Sequence, residues 1–271
     1  MNDKHIPAPL GYIEPHAFKL EIPADDQFLY KVMTIENLLC SITDNYLYFN
    51  RVDSYTDSPI ADPNDGLQLP KDQPGNVASN FLNAPDFTAA NYYDQSRGRT
   101  YACCFSMENS DYIWENYSNG SVKGKVCVVF EFGRLRATLN QTLQPENAAL
   151  IYNSSSCRQI FSVNYGLINY VPWETHQINT ELLANPIDYT FLKDEIRFHR
   201  EKELRISLSA PGSGKFALND GTLIEFPPCL KLSFDFRDAI TNKVIQEILI
   251  APVSDSDFLR SELSKLRIES A

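Results

Sequence analysis

Arg197-Phe198-His199-Arg200-Glu201-Lys202-Glu203-Leu204-Arg205-Ile206-Ser207-Leu208 combines four basic side chains, two carboxylates and a histidine, then turns apolar. With a period of two, Glu201, Glu203, Arg205 and Ser207 share one face, and Leu204, Ile206 and Leu208 share the other. The alternation predicts a half-buried strand with one face on the core and one on a polar surface or cleft. Two carboxylates on one face repel, so each needs a cation, a hydrogen bond or a chemical task, and Arg205 is a ready partner. Two readings stay open on these residues. One is an exposed charged strand end; the other is an active-site edge with Glu203 turned inward.

Outward from this strand, the pattern predicts further strands at 28–33, 46–50, 100–107, 125–132, 162–171, 229–236 and 244–250. Gly166 would bend the segment 162–171 into a strand or hairpin. Thr34 would cap a helix that buries Leu38, Leu39 and Ile42, with Asp44-Asn45 closing it. Other helices are expected at 111–117, 133–143 and 255–266, and over 179–198 with a break near Pro186. A turn is expected at Pro211-Gly212-Ser213-Gly214. Residues 1–26 read as a polar, Pro-rich N-terminal arm. Residues 51–99 read as a long Asp- and Pro-rich insertion, with a short helix around 76–91. No linker divides residues 27–271. The expected fold is one α+β domain: a mostly antiparallel, split sheet with flanking helices.

Composition narrows the function. The chain has 271 residues, 43% hydrophobic content, 16 Phe and 14 Tyr, enough for an aromatic core. A net charge of -11 argues against tracking along a nucleic-acid backbone, while leaving room for a local basic pocket. No run of eighteen apolar residues suggests a membrane span, and Met1–Leu10 lacks a secretory h-region. None of the six cysteines forms a C-x-x-C pair, a pattern expected of reduced core cysteines in a cytoplasmic protein. The four histidines are scattered, so no metal site is expected; Asp62-Pro63-Asn64-Asp65-Gly66 lacks the ligand spacing of a calcium loop.

A set of short signatures follows in order: Leu29-Tyr30-Lys31; Leu47-Tyr48-Phe49-Asn50 with Asp53 and Asp57; Cys104-Phe105-Ser106; Trp114-x-x-Tyr117; Gly124; Val163-x-Tyr165; and Lys193 with Phe198-x-x-Glu201-x-Glu203-x-Arg205. This set, spread over residues 28–265, resembles a widespread bacterial family of uncharacterised proteins, a domain of unknown function. Members commonly carry Trp where this chain has Leu204. That family in turn resembles the ADP-ribosyltransferases, which implies an ADP-ribosyltransferase-like fold and NAD as substrate. On that resemblance Glu203 is the catalytic carboxylate and Glu201 orients or deprotonates an acceptor. Tyr30 takes the ribose role that a first-strand His or Arg fills elsewhere. Ser106 binds the ribose and braces Glu203, Trp114 or Tyr117 stacks on nicotinamide, and Lys31 or Arg200 faces the pyrophosphate. Arg205 completes the NAD-contacting set.

Cleaving the nicotinamide–ribose bond creates positive charge on the sugar ring, which a fixed carboxylate stabilises more in the transition state than in the ground state. The expected activity is therefore ADP-ribosyl transfer to a protein or nucleic-acid acceptor, or NAD hydrolysis, of the kind a bacterial toxin or antiphage-defence effector would use. The alternatives are a non-catalytic nucleotide- or protein-binding module, and a metal-dependent nuclease built on the Asp-rich loop.

Overall fold

The computed structural model describes residues 14–54, 61–80, 86–143, 150–152, 155–157, 162–178, 184–210, 215–218 and 220–268. The chain begins with β1 (Phe28–Thr34), α1 (Ile35–Asp44), β2 (Tyr46–Arg51), α2 (Gln73–Ala78), α3 (Ala89–Arg97), β3 (Thr100–Ser106) and α4 (Asp111–Asn116). It continues with β4 (Lys125–Glu131), α5 (Phe132–Thr142), β5 (Leu150–Tyr152), β6 (Ser155–Cys157), β7 (Ser162–Leu167), β8 (Asn169–Val171), α6 (Pro186–Thr190), β9 (Leu192–Asp194) and α7 (Glu195–Phe198). It closes with β10 (Glu203–Ser209), β11 (Lys215–Ala217), β12 (Leu223–Glu225), β13 (Cys229–Ser233), α8 (Phe236–Thr241), β14 (Ile245–Ile250) and α9 (Ser256–Lys265).

Local chemistry sets the boundaries. Thr34 Oγ1 accepts the Asn37 amide at 3.0 Å and starts α1, and Asn45 ends it in the left-handed conformation at φ 53°. Gly124 turns into β4 at φ 100°, where a Cβ would lie 2.3 Å from Ser254 Oγ, so only glycine fits. A capping box joins Asn185 and Asp188 at the head of α6, with Pro186 in its first turn.

The result is a mixed α/β domain around one open sheet, in which every strand pair described is antiparallel. Its order runs β14-β4-β1-β3-β2-β13-β5-β6, and β10 joins through β3 and β7. One sheet face packs with α1, α5, α8 and α9 in a single core that includes Leu38, Phe130, Leu139, Ile206, Phe236 and Leu259. The other face is covered by a smaller layer, drawn from residues 67–80, 86–93, 171–178 and 184–192, with its own apolar cluster of Leu69, Tyr93, Trp173, Tyr189 and Leu192. Among the described residues no helix is long and apolar enough to cross a membrane.

That second layer corrects the expectation for the central strand. β10 is buried on both faces, and Arg205 and Ser207 are completely enclosed. The polar face is enclosed between two layers at Arg205 and Ser207 and borders a cavity at Glu203. From the segment 51–99, the described residues 61–80 and 86–99 supply much of the second layer: α2 and α3 replace the single helix expected at 76–91, and a turn at 62–65 delivers Asp62 and Asp65 inward. Asp57 lies outside the described residues, as do the turn expected at 211–214 and the start of the helix expected over 179–198. The remainder of that last segment is not one helix. β9 interrupts it by pairing in parallel with β8. Gly166 does not bend a hairpin; it sits inside β7, where Phe191 fills the space a side chain would need. The strand expected at 229–236 stops at Ser233, because Asp235 caps α8 through the Arg237 and Asp238 amides. Of the N-terminal arm, residues 14–26 are packed on the domain: Leu20 meets the cluster of Ile168, Ile187 and Phe191, and Glu14 is buried against Asn140.

Candidate active site

A fork in the sheet makes the site. β10 pairs with β3 along its whole length. On the opposite edge of β3, β2 pairs with Tyr101 and Ala102, and β1 reaches only Ser106. The middle of that edge has no strand beside it. Glu203 turns its backbone carbonyl toward the Ile168 amide, on the β7 side, and strand alternation then aims the Cys104 carbonyl into the fork. Lys31 Nζ fills the gap and donates to Cys104 O at 3.1 Å, supplying the partner the missing strand would have given.

Beside the fork lies a cavity of about 690 Å³, lined by Tyr30, Lys31, Ser106, Tyr117, Glu201 and Glu203 among others. Three of these stand in one rank across adjacent strands, Tyr30 opposite Ser106 and Ser106 opposite Glu203. Glu201 precedes β10 in a 3-10 turn, which Lys202 closes at φ 46°. That turn, rather than strand alternation, returns Glu201 to the same wall. Ser106 fixes it there, because its Oγ donates to the Glu201 carbonyl at 2.8 Å or the Glu108 carbonyl at 2.9 Å. Ser106 thus braces the backbone of Glu201, not the side chain of Glu203.

The two glutamates share one cation. Lys193, from β9, donates through Nζ to Glu201 Oε2 at 2.7 Å and to Glu203 Oε2 at 2.6 Å. Arg205 Nε holds the other Glu203 oxygen at 2.8 Å. The same guanidinium grips both oxygens of Asp65 and donates to the Thr190 carbonyl at 2.6 Å. The Tyr117 hydroxyl donates to Glu201 Oε1, and the Tyr170 hydroxyl accepts the Glu203 amide at 2.8 Å.

Electrostatics separates the two carboxylates. Burial pushes both upward, since it disfavours the charged form. At Glu203 the two adjacent cations outweigh burial and hold the carboxyl below the ordinary range, so it is ionised. At Glu201 burial and the Glu203 charge win over Lys193, and the carboxyl is held above its ordinary value. Lys193 is buried too, yet its two carboxylate partners keep its ammonium well above the usual lysine value. One wall thus carries a fixed anion beside a carboxyl that exchanges its proton more readily.

Three expected contacts are relocated. Arg205 does not line the cavity; it lies behind the wall and positions Glu203 and Asp65. Trp114 faces a separate hollow with Leu249 and Pro252, and its indole donates to Asn109 Oδ1 at 2.7 Å. α4 ends at Asn116 and Tyr117 is extended, so the three-residue spacing does not put both rings on one helix face. Arg200 is exposed and stacks on the Tyr112 ring at 4.7 Å, away from the cavity.

Lys193, Asp62, Asp65 and Tyr170 belong to the site and were not singled out as site residues from sequence. An available signal was charge: Glu201 and Glu203 together need more than Arg205. Among the described residues no group of three or more His, Cys, Asp or Glu could hold a metal ion. No protein-family model, curated protein or solved structure matches the chain.

Proposed function

We propose that the cavity binds NAD and cleaves its nicotinamide–ribose bond, passing ADP-ribose to an acceptor or to water. The observation that carries this reading is the Glu201–Lys193–Glu203 bridge on the wall of an aromatic-lined cavity. Ionisable groups on a cavity wall, perturbed by burial together with specific charged partners, are the pattern expected of a functional site. The ordered signatures resemble a family of unknown function that is in turn remotely similar to ADP-ribosyltransferases, which agrees with this reading.

The chemistry assigns the roles. As the C1′–N bond breaks, its electron pair leaves with nicotinamide and positive charge develops on the ribose. Glu203, ionised at every physiological pH, faces that charge. A carboxylate offers about four lone-pair positions, so the two bonds to Lys193 and Arg205 leave room for a ribose 2′-hydroxyl. Glu201, with its raised pKa, takes the proton of the attacking acceptor or water. Tyr117 supplies the ring beside nicotinamide, and Tyr30 the ribose contact. Lys31, which donates to the Cys104 carbonyl and also meets the Cys103 thiol, retains a donor for a phosphate.

A second reading, a nucleotide-binding module without turnover, is favoured by one observation: both Glu203 oxygens already have cationic partners. Incubation with NAD, with nicotinamide and ADP-ribose quantified by chromatography, separates the two. The wild type is expected to release nicotinamide, and Glu201→Gln to slow that release by about 10²–10⁴-fold while keeping the fold. Saturable NAD binding without release above the spontaneous rate would establish the second reading.

A further inference from the structure

Asp62 presents an acceptor that nothing among the described residues uses. The residue is only 5% exposed and lines the cavity. Its Oδ1 accepts the Asn64 amide at 2.9 Å within the turn, but Oδ2 is buried without a hydrogen-bond partner. Asp65, in the same turn, is fully paired with Arg205. A buried carboxylate oxygen left bare is costly, and such groups in folded proteins call for a partner from outside the chain.

Lys193 offers the matching half. An ammonium has three N–H donors, and two of them go to Glu201 and Glu203. Lys193 lines the same cavity, and its charge reaches Asp62, whose carboxyl burial nonetheless holds above its ordinary value. One spare acceptor and one spare donor on a shared wall fit a group that both donates and accepts. A hydroxyl does so. A second ammonium would meet Lys193 and Arg205, and a phosphate would meet the Asp62, Asp65, Glu201 and Glu203 carboxylates.

We propose that Asp62 and Lys193 hold a sugar hydroxyl next to the one Glu203 receives, so that the site selects a ribosyl ligand with an intact vicinal diol. The choice of sugar rests on the NAD reading; the spare donor and acceptor do not. The hydroxyl donates a hydrogen bond to Asp62 Oδ2 and accepts one from Lys193 Nζ. Asp62 is thereby a specificity-determining residue, contributed by the Asp-rich segment that precedes the catalytic strand by more than a hundred residues.

The test uses ribose 5-phosphate and 3-deoxyribose 5-phosphate, titrated by NMR into the full-length protein and into Asp62→Asn, with NAD turnover measured on the same samples. Asp62→Asn keeps the Oδ1 cap of the turn and removes the anionic acceptor; Asp62→Ala serves as a second variant, and thermal melting confirms that each is folded. The wild type is expected to prefer the hydroxylated sugar by about tenfold or more, because a site built around a hydroxyl rejects the analogue lacking it. Both variants are expected to bind the two sugars alike. Preference in the wild type that disappears in the variants supports the assignment whether or not nicotinamide is released. NAD turnover with no preference, or with a preference the variants retain, overturns it and leaves the NAD reading intact. Absence of both sugar binding and turnover overturns both.

Discussion

Asp65 and Arg205 form a two-pronged ion pair, Nη1 to Oδ1 at 2.5 Å and Nη2 to Oδ2 at 3.1 Å, with no solvent on the guanidinium. The pair joins the turn at 62–65 to the middle of the central strand. It fixes the second layer over the polar face of β10, and so determines where Asp62, Lys193 and both glutamates meet.

Arg205→Met should therefore lower stability by about 3–5 kcal/mol, because Asp65 and Glu203 each lose a charged partner inside the protein. Urea denaturation checks this. Arg205→Lys should recover only part of the loss, since an ammonium cannot reproduce the planar fork. Full recovery by lysine would show that charge alone is needed there.

Lys193→Met should cost about 3 kcal/mol near pH 7, and the gap to wild type should narrow in acid. Glu203 is held below its ordinary value of 4.5, so its contribution is complete above that pH and drains away as pH falls toward its folded value. Lys193 is held above its ordinary value of 10.5, so its contribution is complete below that pH and is lost only in stronger alkali. Glu201 is held above its ordinary value and would rise further without Lys193, so the difference between the two proteins should widen as pH climbs from about 4.5 until Glu201 is ionised in both, then stay level to about pH 10, and shrink below about pH 4.5. Chemical denaturation across this range reads the profile; a difference that grows in acid would contradict the bridge.

Tyr117→Phe removes a hydroxyl that favours the ionised form of Glu201. The Glu201 carboxyl should rise further, moving the acidic limb of the pH–rate profile for nicotinamide release to higher pH with little change in melting temperature. An unmoved limb would take Glu201 out of the base role.

Much of the architecture can be read from local pattern. The alternation of 203–209, the Thr34 cap and the apolar run at Thr100–Ser106 each specify their element through residues close in sequence. What local pattern hides is the fate of the polar strand face. Glu203 and Arg205 read equally well as solvated or enclosed, and the partners that decide it, Asp65 and Lys193, come from elements placed only by the tertiary fold. Trp114 is missing from the cavity for a related reason: a helix that stops at Asn116 abolishes the periodicity linking it to Tyr117, which alone reaches the cavity wall. Asp62 stood inside a motif weighed as a cation loop, whereas its free oxygen is visible only once its burial is known.

The separation of Asp65 and Arg205 by 140 residues also bears on synthesis. At roughly 5–20 residues per second a ribosome delivers the guanidinium roughly 7–28 s after the aspartate. For that interval the acidic turn has no counter-ion from β10, so the nascent chain cannot seal its second layer. The cavity wall that carries Asp62, Lys193 and both glutamates is therefore completed only after most of the polypeptide has been made.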